Sequence, residues 1–138
     1  MHERYGCDGK QQENRTMYYF EYPASVTMLL REIRYGVELR MTDVTINPFG
    51  PSEFEYHIGN IDISFSKSRV TIATPGSGMK TYKLSGLAPS TLFHITASEG
   101  CESQSETWRS MKKKSSSTGY LEFAAPVGGS ACIISVVA

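Results

Sequence analysis

Residues 53–65, EFEYHIGNIDISF, carry the clearest pattern in the chain. Phe54, Tyr56 and Ile58 alternate with Glu53, Glu55 and His57; beyond Gly59-Asn60, Ile61, Ile63 and Phe65 alternate with Asp62 and Ser64. A side-chain period of two describes a strand with one face in a core and the other in water. The two-residue Gly-Asn link suits a primed turn, whose twist matches the strands it joins. The register that follows sets Ile58 opposite Ile61, Tyr56 opposite Ile63 and Phe54 opposite Phe65. All six then share one face.

Downstream, the same reading predicts a second hairpin, pairing Val70 and Ile72 with Leu84 and Tyr82 around the turn Pro75-Gly76-Ser77-Gly78-Met79. Another strand covers residues 92–97. Residues 98–118, SEGCESQSETWRSMKKKSSST, form a long polar loop interrupted only by Trp108 and Met111. Two final strands, over 120–124 and 131–137, flank the turn Pro126-Val127-Gly128-Gly129-Ser130. The last of them is apolar on both faces (Ile133, Ile134, Val136, Val137), the mark of a central strand. About eight short strands separated by turn signals predict a mainly β chain, an antiparallel β-sandwich over residues 37–138.

Upstream the period changes. Val26, Leu29, Leu30, Ile33 and Val37 recur at helical spacing while Arg31, Glu32 and Arg34 face away. Pro23 suits a first helical position and Gly36 a left-handed stop, so one amphipathic helix is expected over 23–36. Burying its stripe would contribute on the order of 1.5–3 kcal/mol per side chain, which requires a partner surface. Residues 1–22 read as a polar arm ending in an aromatic cluster, Tyr18, Tyr19, Phe20 and Tyr22.

The 138 residues suffice for one domain with a real core. Fourteen basic residues balance fourteen acidic ones, which leaves no global electrostatic case for nucleic acid or an anionic membrane. No apolar run approaches the ~20 residues of a membrane-spanning helix. No apolar leader stands at the N-terminus, although a fragment of a larger protein would have lost one, so the compartment stays open. Cys7, Cys101 and Cys132 are too scattered for a disulfide scaffold or a zinc site. They fit reduced thiols, or else one bridge, Cys101 with Cys132, and a free thiol. Asn14-Arg15-Thr16 is a formal N-glycosylation sequon.

Catalytic ingredients are sparse. No Gly-x-Ser-x-Gly elbow occurs, and Gly76-Ser77-Gly78 sits in a turn instead of before a helix. His57 and His94 fall on strands, where packing or solvent exposure accounts for them. Glu53 and Glu55 share a strand face with Asp62 across the turn, as solubility alone would produce, so a glycosidase pair is not required. His2, Cys7 and Asp8 are the only loose metal candidates, and no cofactor is implied. Lys112-Lys113-Lys114 lacks the interleaved aromatics of a nucleic-acid patch and reads as solvated. Tyr18, Tyr19, Tyr22 and Trp108 are candidate ligand-binding residues, since exposed aromatic rings suit stacking on sugars; packing is the competing role.

Two resemblances follow. The run Tyr82-x-Leu84-x-Gly86-Leu87-x-Pro89-x-Thr91-x-Phe93-x-Ile95 resembles the corner between two strands of a fibronectin type III domain. Phe93 stands where that family's tyrosine corner needs a hydroxyl, and no tryptophan occupies the preceding strands, so the likeness speaks for a sandwich corner. Leu29-Leu30, Tyr35-Gly36-Val37 and Asp43-Val44-Thr45-Ile46-Asn47-Pro48 are similar to the exit from the α/α-toroid of six-hairpin glycosidases and glycoside phosphorylases into their C-terminal β-sandwich. Gly119-Tyr120-Leu121-x-Phe123 and Gly128-Gly129 resemble the end of such sandwiches. That family keeps its catalytic carboxylates in the toroid, which this chain lacks, so no catalytic residue carries over. The resemblance implies a non-catalytic accessory domain of a carbohydrate-active enzyme, with a glycan or an α-helical catalytic domain as partner. The alternative is an independent carbohydrate-binding or fibronectin-like protein-binding module.

Overall fold

A computed structural model of the chain describes residues 26, 29, 34–50, 52–98, 101, 108, 110–128 and 132–138. Among them ten strands form two sheets. They are β1 (Val37–Leu39), β2 (Asp43–Ile46), β3 (Phe54–Ile58), β4 (Ile61–Phe65), β5 (Arg69–Ala73), β6 (Ser77–Leu84), β7 (Leu92–Ala97), β8 (Ser110–Lys114), β9 (Leu121–Gly128) and β10 (Ile133–Val137). The larger sheet runs β3-β4-β5-β10-β7-β8 and the smaller β1-β2-β6-β9. Their inner faces share one hydrophobic core, so the fold is a β-sandwich.

The hairpin read from residues 53–65 forms in the register given by its alternation, Phe54 opposite Phe65 and Ile58 opposite Ile61. Phe54, Tyr56, Ile63 and Phe65 are buried. Phe54 and Phe65 stack with ring centroids 5.3 Å apart, and Tyr35 packs against Phe54 and Tyr56. The last strand is central as its apolarity indicated, lying between β5 and β7. Its outer side is only half covered, with Ile133 44% exposed.

Three expectations need correction, and a fourth lies mostly outside the described residues. First, β5 and β6 do not form a hairpin: β5 pairs with β4 and β10, β6 with β2 and β9, and the chain between them crosses from one sheet to the other. Inner-face side chains on both strands serve a sandwich crossing as well as a hairpin, so alternation could not separate the two. Second, residues 98–118 are not all loop. Ser110–Lys114 pairs with β7 as an edge strand, Lys112 opposite His94, and lysines suit a sheet edge because they repel stray strands. Third, the sandwich is not wholly antiparallel, because β2 and β6 run parallel. Fourth, no complete helix stands among the described residues. Most of 23–36 lies outside them, and Val26 and Leu29 of its stripe are exposed. Helical backbone at Arg34 and Tyr35 does end at Gly36, whose φ is 63°.

Non-local contacts close the sandwich. Gly36 lies so near β2's end that a Cβ there would meet the Asn47 carbonyl oxygen at 1.8 Å, while the Asn47 N–H donates to the Gly36 carbonyl at 2.9 Å. Phe93 is buried without a hydroxyl to tie its corner. Ser115, from the end of β8, supplies one: it accepts from the Thr91 N–H at 3.0 Å and donates to the Ala88 carbonyl at 2.6 Å. In the smaller sheet Tyr82 stacks on Phe123 with ring planes 9° apart. Burial pushes the Tyr82 phenol up from 10.0 to about 12, although the Thr74 hydroxyl pulls weakly the other way. The neutral phenol therefore contributes stability in full below pH 10.0, and that contribution is lost as pH rises towards 12. Thr74 Oγ1 is buried and makes no hydrogen bond of acceptable geometry.

Candidate functional site

The carboxylates singled out in the sequence converge on the outer face of β3 and β4. His57 Nδ1 lies 3.0 Å from Asp62 Oδ1, and His57 Nε2 lies 3.6 Å from Glu55 Oε2. All three side chains are at least 60% exposed, so their attractions are weakened by water and salt. Glu53 and Glu55 border a shallow depression of about 360 Å³ with Phe54, Ser64, Phe65 and Ser66. Carboxylate, imidazole and hydroxyl groups are brought together here on one exposed face.

The other sequence candidates are scattered. Trp108 is half-buried and packs against the core. His94 is exposed on the outer face of β7 opposite Lys112. Ser77 begins β6, a strand. Tyr18, Tyr19, Tyr22, Asn14, His2, Cys7 and Asp8 lie outside the described residues. No group of three or more histidine, cysteine or acidic side chains is placed to hold a metal among the described residues. Cys101 and Cys132 are joined as a disulfide, which ties the segment after β7 to the start of β10.

A second surface was missed by the sequence reading. The Asn47-Pro48-Phe49-Gly50 turn after β2 leaves Phe49 77% exposed. Its ring borders a depression of about 290 Å³ with Gly36, Glu38, Thr45 and Asn47. Glu38 and Thr45 face each other across the β1–β2 pair, and Glu38 forms an ion pair with Arg40. The close approach of Gly36 to Asn47 fixes the floor. An apolar ring beside an amide, a hydroxyl and a carboxylate offers one stacking plane and several hydrogen-bonding groups. The signal was present: Phe49 sits between two prolines, out of step with any period-two run, where no core face can claim it.

Fold and surface together define a two-sheet β-sandwich with open depressions beside Glu53 and Phe49 among the described residues. Comparison with known proteins returns nothing that matches: no family model, curated protein or solved structure matches the chain.

Proposed function

We propose that this chain is a non-catalytic β-sandwich accessory domain of a carbohydrate-active enzyme, and that it contacts glycan at the Phe49 depression. The observation that carries the reading is the exposed Phe49 ring flanked by Glu38, Thr45 and Asn47. A pyranose presents an apolar C–H face and an equatorial rim of hydroxyls, which such a surface complements. The exposed setting of Glu53, Glu55 and Asp62 favours binding over hydrolysis. The Cys101–Cys132 bridge suits an oxidising compartment, where polysaccharide is met. The likeness of residues 29–48 to the exit from an α/α-toroid supplies the enzyme context, with the toroid as the partner domain.

Pull-down on insoluble polysaccharides and affinity electrophoresis in soluble ones test the proposal. Phe49→Ala is expected to weaken retention roughly tenfold, the equivalent of about 1.4 kcal/mol for a lost stacking contact, without lowering the melting temperature. Trp108→Ala is expected to lower stability and leave retention intact. Retention indifferent to Phe49→Ala, or absent on every polysaccharide, defeats the glycan contact. Turnover of aryl glycosides that disappears in Glu53→Gln or Glu55→Gln would show the domain to be an enzyme instead.

A further inference from the structure

The larger sheet ends in two strands whose outer edges pair with no other strand among the described residues, β3 and β8. Their charges are opposite. Glu53 and Glu55 project from the outer face at β3, and Lys112 and Lys114 from the same face at β8. No ion pair engages Glu53, Lys112 or Lys114 among the described residues, whereas Glu55 meets only the exposed His57. All five pairings across this sheet are antiparallel, so β3 and β8, the first and last of its six strands, run in opposite directions. A second copy in the same orientation would therefore present β8 antiparallel to β3, as a further ordinary ladder.

The spacing of the charges fits that ladder. Both strands are five residues long, and Glu53 stands one position before the start of β3. The antiparallel register that sets Glu55 opposite Lys112 also sets Glu53 opposite Lys114, with each pair on the outer face. Pairing like edges has the reverse effect: β3 against β3 opposes carboxylates, and β8 against β8 opposes ammonium groups. Charges that guard each edge against its own kind leave the unlike pair attractive. The geometry points to a second copy of this chain as the partner of these edges, joined β8 to β3 in a head-to-tail, continuous antiparallel sheet. Such a contact is heterologous, so it propagates into open chains of molecules or closes into a ring.

The test uses the full chain and two charge-reversed variants, Lys112→Glu/Lys114→Glu and Glu53→Lys/Glu55→Lys, followed by sedimentation velocity and light scattering. At roughly 20 mM salt the wild-type mass is expected to rise with protein concentration and to fall back to the monomer near roughly 500 mM, where exposed charges are screened. Each variant alone carries two like-charged edges and is expected to stay monomeric, with unchanged thermal melting. An equimolar mixture of the two restores opposite edges and is expected to assemble again. The proposal is overturned by a monomeric wild type at low salt, by either variant assembling alone, or by a mixture that stays monomeric.

Discussion

The two sheets of this sandwich are built in different ways. In the larger one, β3, β4 and β5 follow one another and pair with their chain neighbours, and β7 pairs with β8; β10 then enters between the two pieces. In the smaller one, β1 and β2 are local, but β6 joins β2 in parallel and β9 joins β6 from almost forty positions on. A sheet of local hairpins is held mainly by turns and cross-strand side chains. A sheet of distant segments depends on backbone-to-backbone fits that admit little substitution. The larger sheet also has a covalent tie, Cys101–Cys132, which the smaller one lacks among the described residues.

Substitutions can sharpen this contrast. Gly36 and Gly59 both adopt left-handed backbone, with φ of 63° and 58°, but a Cβ at Gly36 would strike the Asn47 carbonyl while one at Gly59 meets nothing within 4 Å. Gly36→Ala should therefore destabilise by at least about 3 kcal/mol and lower the melting temperature by roughly 10 °C or more. A melt within a few degrees of wild type would refute the close approach.

Next comes the disulfide. Its cysteines are 31 residues apart, and Cys101→Ser/Cys132→Ser should remove about 3 kcal/mol, seen in urea titration as an earlier midpoint. Reductant should shift wild type to the same midpoint and leave the double variant alone. A wild-type midpoint indifferent to reductant speaks against the bridge.

Smaller still is the effect of Ser115→Ala, which leaves the Thr91 N–H and the Ala88 carbonyl without their shared partner. About 2 kcal/mol is expected, together with faster amide exchange at Thr91. Unchanged exchange at Thr91 would show that the corner does not rely on this hydroxyl. The smallest loss belongs to Gly59→Ala, about 1 kcal/mol from backbone strain alone. If it matched Gly36→Ala, the distinction between turn and backbone fit would collapse.

The same contrast marks what could be read in advance. Residues 54–65 alternate strictly around a two-residue turn, so period and turn length leave one register. Residues 70–84 alternate as well, yet the longer link permits either a hairpin or a crossing, and pairing energies with β10 and β9 decide it. The strand at 110–114 was hidden because three lysines and a serine have no apolar period; its backbone is recruited by β7. At the candidate surface, Glu38, Thr45 and Asn47 carry no distinguishing motif and become a set only where β1 and β2 meet the turn holding Phe49.

Alternation of side chains and turn residues at intervals determine by themselves that this chain is a mainly β sandwich, because each acts within a few residues. Sheet membership, the parallel β2–β6 pair, the cysteine bridge and the grouping around Phe49 belong to the tertiary structure. These depend on contacts between segments tens of residues apart, where many pairings satisfy the same local pattern and only simultaneous burial of both inner faces selects one.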